Sequence, residues 1–158
     1  MPQLVKGGKH AFGWSVVGAD GEIVLPPEAV REYGFEESER LILIPGSRTS
    51  GGFGLGTSAT VAQSPIGAVL DGHPKWARTK LKAGQIVEHA GKPYCWVEMR
   101  CGRVVVPLET LEQYGIEAGG KLLVIRGSGR ALGFAVRGPI VEEAERHPEL
   151  DIFGVRGT

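Results

Sequence analysis

Two stretches decide the fold: GEIVLPPEAVREYGFEESERLILIPGSRTSGGF at residues 21–53 and GRVVVPLETLEQYGIEAGGKLLVIRGSGRALGF at residues 102–134. They align without a gap at an offset of 81 residues. Thirteen of the 33 positions are identical, and seven of the other 20 exchange one apolar residue for another, counting proline as apolar. Self-similarity at a fixed offset is typical of an internal repeat. We therefore expect one structural unit to occur twice in this chain.

The similarity continues outside these stretches. Upstream, Trp14 in GKHAFGW stands opposite Trp96 in GKPYCW. Downstream, SPIGAVLDGHP at 64–74 parallels GPIVEEAERHP at 138–148 at the shorter offset of 74, so the first copy carries a loop longer by seven residues. The sequence predicts two tandem units, residues 1–78 and residues 79–158, each ending in a short closing helix that begins at a proline.

Each copy has the same predicted order of elements. Apolar runs end at Pro26 and Pro107, because proline cannot continue an interior ladder, and short helices follow. Gly34 and Gly115 are placed to end these helices in the left-handed conformation. The segments RLILIPG and KLLVIRG are predicted strands, with GGFGL and LGFAV returning as hairpin partners.

A single copy has too few elements to bury its apolar faces, and its open strand edges favour pairing with another copy. Two copies together could close a small β-barrel. The second copy could come from the same chain or, by exchange, from a second chain. The predicted fold class is mainly β with short helices.

The glycine-rich segment GSRTSGGFGLG at 46–56 could be a phosphate-binding loop or a structural turn. In the second copy it becomes GSGRALGFAVR, which keeps only the Gly-Ser turn and the later Gly-Phe. A phosphate cradle depends on backbone donors and a partner lysine. We expect a turn followed by a strand, with a nucleotide site in the first copy as the alternative. GIEAGGKL at 115–122 is also predicted to be a turn, because Leu122 replaces the hydroxyl residue of a P-loop.

Composition limits the function classes. The chain has 18 basic and 18 acidic residues and no net charge, which argues against a simple DNA-coating role. Residues 91–137 carry a net charge of +3, however, and residues 138–158 a net charge of −3. The apolar runs are too short to span a bilayer, and the N-terminus lacks the apolar core of a signal peptide, so we expect a cytoplasmic protein without a membrane partner.

Catalytic and metal-binding patterns are absent from the sequence. Cys95 and Cys101 match no zinc spacing, and we expect two reduced, packed thiols, with a hairpin disulfide as the alternative. His73 and His147 are predicted to cap equivalent helices, and Trp14 and Trp96 to lie in the core. Nothing combines a nucleophile, a base and an oxyanion donor. We expect no enzyme, no catalytic residue, no cofactor and no metal.

The repeated pattern resembles the SpoVT/AbrB swapped-hairpin domain, the AbrB/MazE group. The resemblance lies in GEIVLPPEAVREYGFEESERLILI and GRVVVPLETLEQYGIEAGGKLLVI, about a third of the chain. It implies tandem AbrB-like halves that form an intertwined barrel, normally dimeric, acting as a bacterial or archaeal transcription regulator. Family members usually place an arginine four residues after the proline. This chain has Val30 and Leu111 there, and Arg31 one place later.

Double-stranded DNA is therefore the expected partner, together with a second copy of the chain in a homodimer or higher oligomer. Arginine and lysine side chains would supply the phosphate and base contacts. The candidate DNA-binding residues are Arg100, Arg103, Lys121, Arg126, Arg130, Arg31, Arg40 and Arg48. Arg100 and Arg103 flank one turn and are the strongest candidates. The alternative is a protein-interaction module on a duplicated AbrB-like barrel that has lost DNA binding.

Overall fold

The computed structural model describes residues 11–57, 83–89, 91–126 and 131–154. Within these ranges the chain forms ten strands and three helices. The strands are β1 (Ala11–Val16), β2 (Glu22–Val24), β3 (Arg40–Pro45), β4 (Phe53–Thr57), β5 (Val87–His89), β6 (Lys92–Glu98), β7 (Arg103–Val105), β8 (Lys121–Arg126), β9 (Leu132–Ala135) and β10 (Ile152–Phe153). The helices are α1 (Pro27–Tyr33), α2 (Leu108–Glu112) and α3 (Pro139–Ala144). The prediction of a mainly β protein with short helices is confirmed.

The two helices inside the repeat begin and end as their sequences predict. Helix α1 starts at Pro27, whose fixed φ suits a first helical turn, and ends at Gly34 with φ of 67°. Helix α2 follows Pro107, and Gly115 with φ of 77° ends the turn after it. The amide of Phe35 donates to the Val30 carbonyl, and the equivalent amide in the second half bonds in the same way. The left-handed stops are confirmed.

The main sheet has eight strands in the order β10-β1-β8-β9-β4-β3-β6-β5. Its six central strands pair the two halves of the sequence reciprocally, at an offset of 81 residues for the hairpin strands and of 82 for β1 and β6. Strand β1 pairs with β8 of the other half, with Trp14 opposite Leu123. Strand β6 pairs with β3, with Trp96 opposite Ile42, which is the equivalent pair. The hairpins β3–β4 and β8–β9 join at the middle, where Phe53 is opposite Phe134.

Strands β2 and β7 form a separate two-stranded ribbon, in which equivalent residues of the two halves also pair. Ile23 is opposite Val104, its own equivalent, and the neighbouring pairs are Glu22 with Val105 and Val24 with Arg103. Backbone bonds at the ends of the ribbon are also reciprocal. The Leu25 amide donates to the Gly102 carbonyl, and the equivalent Val106 amide donates to the Gly21 carbonyl.

The largest apolar cluster lies between the sheet, the ribbon and the two repeat helices. It takes Leu41 and Leu43 from one half, Leu122 and Val124 from the other, and the inward residues of β2 and β7. At its centre the rings of Phe53 and Phe134 stack with centroids 4.6 Å apart. Because both halves contribute to one apolar interior, unfolding either would expose the other.

The opposite face of the sheet is covered in the second half by α3. Trp14, Leu123 and Ile125 pack there against Val141 and Ala144 of the helix. The alternation of Leu122, Leu123 and Val124 between the two clusters is the period of two expected of a strand buried on both faces. The predicted closing helix of the second half is confirmed, and that of the first half lies outside the described residues.

The predicted barrel closure is wrong for the part of the chain that the structure describes. The sheet is open, and its strand order ends at β10 and β5. Strands β2 and β7 are three residues long, end before Pro26 and Pro107, and pair only with each other, so they cover the sheet instead of joining its edges. The predicted boundary between residues 78 and 79 lies outside the described residues, and the division into two domains remains a prediction.

None of the described helices combines the length and apolarity needed to cross a bilayer.

Candidate nucleic-acid interface

The turn that carries Arg100 and Arg103 joins β6 to β7. The Arg100 amide donates to the Arg103 carbonyl and the Arg103 amide donates to the Arg100 carbonyl, at 2.9 and 3.1 Å. Cys101 and Gly102 between them have φ of 53° and 73°, as the central residues of a type I′ hairpin turn require. The Cys101 amide donates to both carboxylate oxygens of Glu37, at 2.8 and 2.9 Å. A carboxylate of the first half thus helps hold a left-handed cysteine in the second.

The equivalent turn of the first half joins β1 to β2 and has a different geometry. The Gly21 amide donates to the Gly18 carbonyl, and the Gly18 amide donates to the Glu22 carbonyl. Gly21 has φ of 85°, and a Cβ added to it would lie 1.9 Å from the Val106 carbonyl oxygen. Asp20 is exposed where the second half has Cys101. The two turns occupy corresponding places with opposite charge.

Arg103 is paired with the first half. Its guanidinium lies 3.1 Å from the Glu22 carboxylate across the ribbon, with the side chains 41% and 29% exposed. Its Nε is buried and has no hydrogen-bond partner within the described part of the chain. Arg100 forms an ion pair with Glu98, the last residue of β6, and remains 70% exposed. Both arginines of the turn therefore have an acidic partner, and Arg100 is the more exposed of the two.

Arg126 lies at the end of β8 and binds helix α1. Its Nε and its terminal nitrogen donate to the two oxygens of Glu32 at 2.5 and 2.6 Å, a bidentate arrangement. The hydrogen bond to Glu32 raises the pKa of Arg126, which stays charged. The structure does not bring this arginine into the turn of Arg100 and Arg103. It serves instead as a bridge between the two halves.

Arg40 and Lys121 are equivalent residues and make equivalent contacts. The Arg40 guanidinium lies 4.0 Å from the ring centroid of Trp96, and the Lys121 ammonium lies 4.6 Å from that of Trp14. Each cation thus stacks on the tryptophan of the other half, a cation–π contact. Trp14 is buried, as predicted, but Trp96 is half-buried and Arg40 covers it. The prediction of a core position is wrong for Trp96.

Arg31 and Arg48 are exposed, and no carboxylate within the described ranges forms an ion pair with either. Arg31 belongs to helix α1 and Arg48 to the loop after β3, where its carbonyl accepts a hydrogen bond from Arg137. Arg130 lies outside the described residues. The eight candidates therefore do not form one cluster in the described structure.

The first half is rich in carboxylates, which the cationic candidate residues do not include. Residues 18–39 carry seven acidic groups against the single cation Arg31, a net charge of −6. The equivalent residues 99–120 carry Arg100 and Arg103 against three glutamates, a net charge of −1. Counting charges along residues 18–39 of the sequence reveals this acidic segment. The acidic residues are Asp20, Glu22, Glu28, Glu32, Glu36, Glu37 and Glu39.

The glycine-rich loop uses its own donors. The Gly46 amide donates to the Gly52 carbonyl, the Gly51 amide to the Ser47 carbonyl, and the Ser50 amide to the Ser47 hydroxyl. A Cβ on Gly52 would lie 1.9 Å from the Phe134 carbonyl oxygen, so this glycine permits the close approach of β9. The expected turn followed by a strand is confirmed. The segment at 115–122 is likewise a turn between α2 and β8.

The two cysteines differ from each other. Both are free thiols, but only Cys95 is packed, whereas Cys101 is exposed. Burial raises the pKa of Cys95 to about 11, which keeps it protonated at neutral pH. The Tyr114 hydroxyl contacts its sulfur at 3.8 Å and donates to the Pro93 carbonyl at 3.2 Å. The described residues contain no group of three or more histidine, cysteine or carboxylate side chains arranged to hold a metal ion.

His147 does not cap its helix in the way predicted. Its ring nitrogens contact carboxylates, Nδ1 at 2.8 Å from Glu149 and Nε2 at 3.1 Å from Glu143. The hydrogen bond to Glu149 is the main reason that the pKa of His147 is raised, and the same contact lowers the pKa of Glu149.

Comparisons of this chain with protein-family models, with curated proteins and with solved structures found no significant match.

Proposed function

We propose that the protein is a DNA-binding transcription regulator built from two interlocked halves of the SpoVT/AbrB type within one chain. The observation that supports this proposal most is the reciprocal pairing of strands between the two halves. Strand β1 of the first half pairs with β8 of the second, and its counterpart β6 pairs with β3 of the first, which is the relation that a swapped-hairpin dimer would have between two chains. An ancestral duplication would place both partners in one polypeptide. Association into a homodimer or higher oligomer stays a prediction.

The charges favour DNA contact through the second half. Arg100 is 70% exposed at its hairpin turn, and Arg103 lies beside it on the outer side of the ribbon. The equivalent turn of the first half presents Asp20 and Glu22, which would repel phosphates. Phosphate contact by the arginine pair would position the protein, and the exposed guanidinium could reach a base edge.

The experiment is a titration of the folded protein with a pool of double-stranded DNA fragments, followed by fluorescence anisotropy over a range of salt concentrations. Binding should weaken steeply with salt, because each phosphate contact releases counterions. Arg100→Ala should reduce the slope of log affinity against log salt by about one. Arg146→Ala is the matched control, since Arg146 is 77% exposed and follows α3 on the opposite face of the sheet. Absence of binding at low salt with folded protein would refute the proposal.

A second candidate function, a protein-interaction module, is favoured by the carboxylates of residues 18–39. Asp20, Glu28 and Glu36 are exposed, and no described cation pairs with them. A net charge of −6 along residues 18–39 suits a basic protein segment. The double variant Glu28→Gln/Glu36→Gln separates the two functions by sign. It should weaken capture of a basic partner and strengthen binding to DNA.

A further inference from the structure

Three of the contacts that join the two halves place the negative charge in the first half. In each, a carboxylate of the first half meets a donor of the second. Glu22 meets Arg103 across the ribbon, Glu32 meets Arg126 at the end of β8, and Glu37 meets the Cys101 amide.

None of these contacts could be made in reverse. At the 81-residue offset, the equivalent of Glu32 is Gln113 and that of Arg126 is Pro45, so the second bidentate pair does not exist. The equivalent of Glu37 is Ala118, which has no carboxylate for the opposite turn. Glu22 and Arg103 are each other's equivalents and carry opposite charges.

Some other contacts between the halves are reciprocal and therefore do not distinguish one half from the other. Arg40 and Lys121 stack on opposite tryptophans in the same manner. The Ser38 amide donates to the Met99 carbonyl, and its equivalent, the Gly119 amide, donates to the Val17 carbonyl. These shared contacts would be available to any pair of halves, whether like or unlike.

We propose that the one-way contacts make the first half select the second half of the same chain and reject a like half of another copy. In a ribbon formed by two first halves, Glu22 would lie diagonally opposite a second Glu22. Two second halves would bring Arg103 against Arg103. Diagonal positions of a two-stranded ribbon are within reach of long side chains, so like charges there are destabilising, whereas opposite charges stabilise the ribbon. The difference in charge between the halves thus favours pairing within one chain over pairing between chains. This preference does not depend on what the outer surface binds.

The test is a double-mutant cycle on Glu22→Arg and Arg103→Glu in the full chain, with the folding equilibrium constant measured by denaturant titration at low salt. Each single reversal should lower this constant about fivefold, because a pair of opposite charges becomes a pair of like charges. The double variant restores opposite charges and should return to within about twofold of the unsubstituted chain.

Neutralisation provides a further check on the sign of the effect. Glu22→Gln should cost less than Glu22→Arg, since it removes attraction without adding repulsion. Light scattering should give the same molar mass for the unsubstituted chain and for the double variant. Additive losses in the double variant, or equal losses for Gln and Arg at position 22, would overturn the proposal.

Discussion

The turn at residues 18–22 and the turn at residues 100–103 occupy equivalent places but differ in charge and in the packing of their glycines. The first is acidic, and its Gly21 lies against the Val106 carbonyl. The second carries Arg100 and Arg103, and its Gly102 has open space around it. Both nevertheless lead into the same ribbon, with Ile23 opposite Val104. Buried apolar alternation fixes strand register, whereas exposed charges cost little to exchange, so the surface can diverge while the pairing stays.

The largest difference between equivalent residues is expected at Tyr33, the last residue of α1, and Tyr114, two residues after α2. Tyr114 is buried, with its ring 5.8 Å from that of Phe53, whereas Tyr33 is half-buried at the edge of the same cluster. Tyr114→Ala should lower the free energy of unfolding by about 3–5 kcal/mol because it leaves a cavity. Tyr33→Ala should cost about 1–2 kcal/mol. Urea denaturation measures both values, and equal losses would contradict the unequal burial of the two halves.

The two turn glycines sharpen the comparison further. Gly21→Ala should destabilise the chain by about 3 kcal/mol, since the added Cβ would lie 1.9 Å from the Val106 carbonyl oxygen. Gly102→Ala adds only the strain of a positive φ, about 1–2 kcal/mol, because no atom lies within 4 Å of the new Cβ. Thermal unfolding of the matched pair tests the order. A larger loss at Gly102 would show that the turns are packed differently.

The smallest effect concerns His147, whose equivalent His73 lies outside the described residues. The pKa of His147 is raised in the folded chain, so its contribution to stability is complete below the unfolded pKa of about 6.5 and is lost as pH rises through the folded pKa. Protonation of Glu149 removes the same contact at low pH. Because the pKa of Glu149 is lowered in the folded chain, this stability is lost as pH falls through that lowered pKa. NMR titration should find the His147 pKa above its ordinary value and lower in Glu149→Gln. An unchanged His147 pKa in that variant would refute the contact.

Local structure was largely predictable from the sequence, because each signal acts within a few residues. Pro27 at a helix start and Gly34 at its end fix the position of α1 without help from the rest of the chain. The hairpins β3–β4 and β8–β9 follow from apolar runs separated by Gly-Ser turns. The 81-residue offset added information of longer range, since it indicated which elements correspond.

The order of the sheet and the environment of the charges could not be read in this way. Periodicity shows that β1 is apolar on both sides, but not that its partner is β8 of the other half, about a hundred residues away. Arg126 and Glu32 are separated by 94 positions, so their bidentate contact leaves no local pattern. Barrel closure was expected from the need to bury two apolar faces. The ribbon and α3 bury them instead, one on each side of an open sheet.

The interlocking of the two halves is tested most directly by isotope-filtered NMR on a mixture of labelled and unlabelled chains. The account predicts backbone NOEs between Ile23 and Val104 and ring NOEs between Phe53 and Phe134, all within one labelled chain. NOEs that connect strands only inside residues 11–57 or only inside residues 91–154 would contradict it.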